Sequence, residues 1–197
     1  MILEGIVTTL GPDGRLNVAP MGPRVEPGWR RFVLRPYATS TTYRNLKAHG
    51  EGVLHVTDDV LLLARAAIGD VGDVPTRPAA AVRGAILSDA CRHYEFRAIE
   101  LDDREARTTI RVEAVAEGRG RDFFGLNRAK HAVIEAAILA TRTAFLPLGA
   151  ILADLAKLAV LVEKTGGDAE HAAFALLTGH VRAAAIAQGL DPDAPSS

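Results

Sequence analysis

The residue pattern changes period once, near residue 122, and that single change decides the fold class. Before it, apolar residues alternate with polar ones in short runs separated by Gly, Pro and Asp, the pattern of strands with one wet face. After it, long runs rich in Ala and Leu place apolar residues three or four positions apart, the pattern of amphipathic helices. Six or seven short strands with few hairpin-length gaps favour a barrel over a parallel sheet, with the helices as a separate layer. The chain is therefore read as α+β and mainly antiparallel. A β-barrel domain is expected over residues 1–122, a helical subdomain over 123–190 and a disordered tail over 191–197.

Local signals place the elements. Residues 2–20 read as a hairpin about Gly11-Pro12-Asp13-Gly14, where Pro12 presets φ and Gly14 accepts a positive φ. Further strands are expected over 29–34 and 53–57, with a short helix over 39–49 between them that Gly50 and Gly52 stop. Asp58 or Asp59 caps a helix over 61–68, and the Gly-, Pro- and Asp-rich residues 69–78 are the expected mobile loop. Two long strands, 92–101 and 106–117, flank the polar turn Asp102-Asp103-Arg104-Glu105. Helices follow over 127–142, 148–164 and 168–188, with Asp168 capping the last.

Composition excludes several classes. The 197 residues, 48% hydrophobic and 24% charged, suffice to bury a core without disulfides; the one cysteine, Cys91, reads as a small buried hydrophobe in a reducing compartment. A net charge of -1 supplies no basic field for nucleic acid. The most apolar stretch, 146–162, is broken by Asp154 and Lys157 and is too short and charged to span a bilayer. The N-terminal residues run directly into a strand with no leader pattern, so a cytoplasmic protein is expected. Rossmann, α/β-hydrolase and NTPase signatures are all missing. His49, His55, His93, His131, His171 and His180 show no metal-ligand spacing, and no metal is expected.

Three segments combine residues suited to chemistry. Asn17-Val18-Ala19-Pro20-Met21-Gly22 ends a strand with small and backbone-distorting residues, which lets a flat ligand lie against main-chain groups; the plainer reading is a strand running into an irregular turn. In the stretch 35–45, Thr39, Ser40, Thr41 and Thr42 start a helix, with Arg35 and Arg44 at hand. Hydroxyls, free helix N–H groups and guanidinium donors suit a terminal phosphate, whereas a simple cap needs only one of the hydroxyls. Tyr37 and Tyr43 either stack on a ligand or simply pack. In the third segment Arg128, Lys130 and His131 occupy a helix start that disfavours cations, which points to an anionic partner or to ion pairs such as His131 with Glu135.

Taken together, Glu4-Gly5-Ile6-Val7-Thr8-Thr9, Asp13-Gly14, Asn17 to Gly22, Thr42-x-x-Asn45-Leu46 and Asn127-Arg128-Ala129-Lys130-His131 through Ala136 resemble the DUF447 family of FMN-binding split β-barrel proteins. The resemblance implies a split barrel with FMN near the interface of a homodimer. It implies that Arg35 and Thr39, Ser40, Thr41 and Thr42 hold the phosphate, with Asn45 in support. The isoalloxazine edge would then lie along Asn17, Val18, Ala19, Pro20 and Met21, and Asn127 and Arg128 complete the cofactor set. His55 departs from the asparagine this superfamily leads one to expect. FMN carries the redox chemistry itself, so a catalytic dyad is not required; Arg128 and His131 are the candidates for proton delivery or for binding a substrate carboxylate. The resulting expectation is an FMN-dependent oxidoreductase acting on a small molecule, with a link to tetrahydromethanopterin-dependent one-carbon metabolism. The alternatives are a non-catalytic FMN-binding module for sensing or delivery, and a purely structural role.

Overall fold

The computed structural model describes residues 1–123 and 125–192, so the tail expected over 191–197 lies, from residue 193 on, outside the described residues. They form two compact units, Met1–Asp58 with Gly72–Phe123, and Asp59–Val71 with the residues beyond Phe123.

The first unit contains β1 (Gly5–Leu10), β2 (Leu16–Met21), β3 (Arg24–Val25), β4 (Arg31–Leu34), α1 (Thr41–His49), β5 (Glu51–Val56), β6 (Thr76–Pro78), β7 (Ala85–Leu87), β8 (Arg92–Asp102) and β9 (Thr109–Arg119). Seven strands form one antiparallel sheet in the order β2-β1-β5-β8-β9-β4-β3. The β1–β2 hairpin turns at Gly14, whose φ of 80° is the positive value the turn demands. Its register, Leu10 opposite Leu16 and Gly5 opposite Met21, continues past β2 to Ile2 opposite Arg24. Leu3 N donates to Pro23 O at 3.1 Å and Val25 N to Met1 O at 2.9 Å. Thus β2 and β3 are two halves of one bent strand, the first paired with β1 and the second also with β4, and the sheet curls back on itself as a split barrel.

Val7, Phe32, Leu34, Leu54, Tyr94, Phe96, Ile110 and Val112 fill the interior, joined by Tyr43 and Leu46 of α1. The opposite face of β1, β5 and β8 is buried as well, because residues 76–90 lie over it. Thr8 Oγ1 donates to Ala85 O at 2.6 Å, and the Glu95 carboxylate accepts from Ala80 N and Ala81 N at 3.1 and 2.6 Å. His55 Nδ1 donates to Ile6 O at 3.2 Å while Nε2 accepts from Leu87 N at 3.0 Å, which fixes one neutral tautomer. Part of the loop expected over 69–78 is therefore strand β6, paired with β7. β3, β6 and β7 are two or three residues long, too short for an alternation to appear, and β6 ends in Pro78.

The second unit holds α2 (Val60–Ile68), α3 (Arg128–Ala140), α4 (Leu148–Thr165) and α5 (Asp168–Ala187). Alanines at 64, 136, 137, 140, 173 and 185 interleave with Val60, Leu63, Val133, Ile151, Leu155, Leu177 and Val181, so small side chains admit close helix packing. α2 belongs to this unit although 59 residues separate it from α3, an excursion that a single cut near residue 122 does not contain. Asp59 caps it, accepting from Leu62 N at 2.9 Å. The cap of α5 is Gly167, not Asp168; Gly167 N donates to Glu170 Oε2 at 2.9 Å, and Asp168 falls in the first turn, where a negative charge complements the helix dipole. Among the described residues no helix is long and apolar enough to cross a membrane.

Candidate functional site

β1, β2 and α1 bring four polar side chains together at one end of the barrel. Asn17 Nδ2 donates to Thr9 Oγ1 at 3.2 Å and to Thr42 Oγ1 at 3.0 Å, and Asn45 Nδ2 donates to Thr9 Oγ1 at 3.0 Å. Thr9, Thr42 and Asn45 are buried, so this network replaces water that the barrel excludes. Three of the four residues were expected from sequence. Thr9 was not; the available signal was its position two residues after Val7, on the core-facing side of β1. Asn17 spends its amide hydrogens on Thr9 and Thr42, and among the described residues its Oδ1 has no protein donor.

Val18, Ala19, Pro20 and Met21 complete β2, which is half-buried throughout and lies at the end of the sheet order. A terminal strand carries main-chain groups along its outer side that no neighbouring strand claims, and Pro20 contributes no donor there.

The segment before α1 is tied down by the far hairpin. Ala38 N donates to Ala106 O at 2.9 Å, Thr108 N to Pro36 O at 3.0 Å, and Tyr37 bridges Arg107. Ser40 is the N-cap of α1, accepting from Tyr43 N at 3.1 Å. Arg44 donates to Thr39 O at 2.9 Å and to Thr41 Oγ1 at 3.0 Å, holding its guanidinium over the first turn. Arg107 Nε donates to Arg35 O at 3.3 Å, and its guanidinium lies 5.5 Å from the centre of the Tyr37 ring, which is 57% exposed. Arg35 Nε is buried, with no acceptor among the described residues.

Charge at this site is one-sided. Asp102 pairs with Arg104, and Asp103 with Lys47 at 2.8 Å, so these two carboxylates are already taken. Tyr43 donates to the same Asp103 oxygen at 2.7 Å and is buried; it is packed, not presented as a stacking surface. The Lys47 ammonium and the Tyr43 hydroxyl hold the Asp103 carboxyl below the usual carboxylate range. Among the described residues Arg35, Arg44 and Arg107 form no ion pair.

In the helical unit, the remaining expected residues start α3. Asn127 is its N-cap, with Oδ1 accepting from Lys130 N at 3.1 Å and Nδ2 donating to Thr165 O at 3.0 Å, so both ends of its amide are committed to the helices. Lys130 pairs with Glu170 at 2.9 Å. Arg128, His131 and Glu135 are exposed, and among the described residues His131 and Glu135 form no ion pair. Cys91 is buried, and burial pushes its thiol pKa up.

The N-terminal domain model of DUF447, a protein family of unknown function, matches residues 3–121, and the second DUF447 model matches residues 127–179. No curated protein matches the sequence. The FMN-bound protein MM1853 from Methanosarcina mazei, a DUF447 protein, superposes with a TM-score of 0.79 at 23% identity, covering 91% of this chain and 94% of its own. An FMN-binding protein from Thermus thermophilus with bound p-hydroxybenzaldehyde gives 0.53 at 15% identity, covering 63% of this chain and 75% of its own. Flavoredoxin of Desulfovibrio vulgaris (Miyazaki F) gives 0.50 at 13%, covering 61% and 70%. At these identities the likeness is one of fold. The two domain models together span nearly all of the sequence, and on that ground the chain belongs to the DUF447 family.

Proposed function

We propose that this chain is a flavoprotein that holds FMN against its barrel unit, as a homodimer with the flavin near the interface, and uses it as an oxidoreductase on a small molecule. The observation that carries the reading is the uncompensated positive charge at the start of α1. Among the described residues Arg35, Arg44 and Arg107 have no carboxylate partner and Arg35 Nε, which is buried, has no acceptor, while Thr39 and Thr41 are exposed beside a helix N-terminus. A phosphate monoester brings about −1.5 to −2 charges and three acceptor oxygens at neutral pH, which is the complement of that set.

The ring edge is assigned to β2. Asn17 Oδ1 is an acceptor in need of a donor, and the outer main-chain groups of Val18 to Met21 offer both kinds of partner. The network through Thr9 and Asn45 holds Asn17 and Thr42 in place, so ring and phosphate contacts share one rigid support. FMN when bound supplies hydride and single-electron transfer; the chain has to orient it and exclude water. Arg128 and His131, exposed at the start of α3, are the groups assigned to proton delivery or to a substrate carboxylate. MM1853 and the Thermus protein, which bind FMN, support the cofactor assignment by their shared fold.

Anaerobic mixing of the FMN-loaded protein with NADH or NADPH tests the oxidoreductase part. Bleaching of the flavin absorption by either donor, followed by recovery with an electron acceptor, is the expected result. A bound flavin that neither nicotinamide nor dithionite-reduced carriers reduce faster than free FMN contradicts it and leaves a non-catalytic binding module. Sedimentation velocity reads the dimer directly.

A further inference from the structure

We propose that Arg107, which stands 63 residues beyond Arg44 in the β8–β9 connection, two residues before β9, is a further phosphate ligand and sets the preference for a phosphorylated flavin over riboflavin. The inference rests on the flavin reading above and adds a residue that no motif of the sequence marks.

The backbone holds Arg107 where such a ligand is needed. Residues 106–108 are zipped to residues 36–38 by Ala38 N to Ala106 O, Thr108 N to Pro36 O and Thr108 Oγ1 to Pro36 O, the last at 2.8 Å. Ser40 N in turn donates to Tyr37 O at 2.9 Å, so the residue that Arg107 bridges is one turn from the cap of α1. The side chain is steered as well. Its Nε is used on Arg35 O, and its guanidinium lies against the Tyr37 ring, a contact that favours a cation held in one plane.

What remains of the guanidinium is unspent. Among the described residues neither terminal nitrogen of Arg107 has a protein acceptor, and Glu105, two residues away, makes no ion pair with it. Arg44 differs, because both of its terminal nitrogens already bind neutral oxygens of the Thr39–Thr41 turn. A planar pair of free N–H donors is the fork that receives two phosphate oxygens at once. Arg35, Arg44 and the helix terminus contribute positive charge, and Arg107 adds the two-pronged donor that Arg44 has spent on its own turn.

Parallel titrations of the full-length protein with FMN and with riboflavin, followed by flavin fluorescence, test this. Arg107 is surface-exposed, and riboflavin binding reports that each variant retains its fold. Arg107→Gln is expected to weaken FMN binding about tenfold or more while riboflavin affinity stays unchanged, the loss of a charge-assisted pair. Arg107→Lys should recover part of the loss. An FMN-to-riboflavin affinity ratio in Arg107→Gln equal to that of the wild type overturns the assignment, as does an equal loss for both flavins. If the wild type binds FMN and the ratio does not move, this inference alone fails; if the wild type binds neither flavin, the flavin reading fails with it.

Discussion

Replacing Thr9 by valine keeps the shape of the side chain and removes one oxygen, and that oxygen accepts from both Asn17 and Asn45. Thr9 is fully buried and Asn45 is 5% exposed, so no water replaces the lost acceptor for Asn45. Asn17 retains its bond to Thr42. A buried donor left unsatisfied costs about 1–3 kcal/mol, and the second weakened bond adds about 0.5–1 kcal/mol, so Thr9→Val should destabilise by about 2–3 kcal/mol. Asn45→Leu removes the stranded donor instead of the acceptor. Combined with Thr9→Val it should cost less than the sum of the two single changes by about 1–2 kcal/mol, because neither partner is then left alone. Urea denaturation followed by the emission of Trp29 is the assay. It is the only tryptophan and stacks on Tyr94 at 5.4 Å in the barrel core, so it reports on the unit in question. Single changes that add to within about 0.5 kcal/mol would refute the claim that the network acts as one piece. The same Thr9→Val variant should bind FMN more weakly, since Asn17 and Thr42 lose their common support.

Other outcomes follow from single residues. Burial is the main cause that lowers the His55 pKa to about 4 from an ordinary 6.5. Unfolding exposes an imidazole that takes up a proton below about pH 6.5, so stability should be complete above that value. It should fall by about 3 kcal/mol as pH drops from 6.5 to about 4, and His93, lowered by burial too, adds to the same trend. A stability-versus-pH curve that is as steep for His55→Gln as for the wild type would contradict the assignment. A Cβ at Gly120 would lie 1.9 Å from Ala90 O, in backbone held by Gly120 N to Cys91 O at 2.9 Å. Gly120→Ala should therefore destabilise by about 3 kcal/mol or more. Gly179, inside α5 with nothing near its Cβ position, should stabilise by about 1 kcal/mol when changed to alanine; thermal melts of the two variants moving in the same direction would refute the contrast.

The barrel and helical parts were readable because each covers enough residues for its period to repeat, and the first hairpin because Gly14 marks its turn. α1 was foreseen through its hydroxyls, and Ser40 proves to be the one that caps it. What escaped has a common physical cause, since it depends on pairing between distant segments. β3 extends the first hairpin past a Gly-Pro bend, β6 and β7 cover a sheet face, and Arg107 reaches the segment before α1 from the β8–β9 connection. α2 reads locally as any capped helix, and its packing with α3 and α5 is carried by Val60, Leu63 and Ala64, whose spacing names no partner. The His55 departure resolves in the same way: its side chain faces the covering residues 76–90, bonded to Leu87, on the sheet face opposite Leu54 and the barrel core.

The central claim is that this chain retains FMN at the cationic start of α1. The visible absorption spectrum of the purified protein, taken before and after incubation with FMN and desalting, tests it most directly, with Arg35→Gln treated in parallel. The account predicts flavin bands that survive desalting in the wild type and are lost or sharply reduced in Arg35→Gln. A wild-type spectrum empty in both states would contradict it, and so would a flavin retained equally by the two proteins.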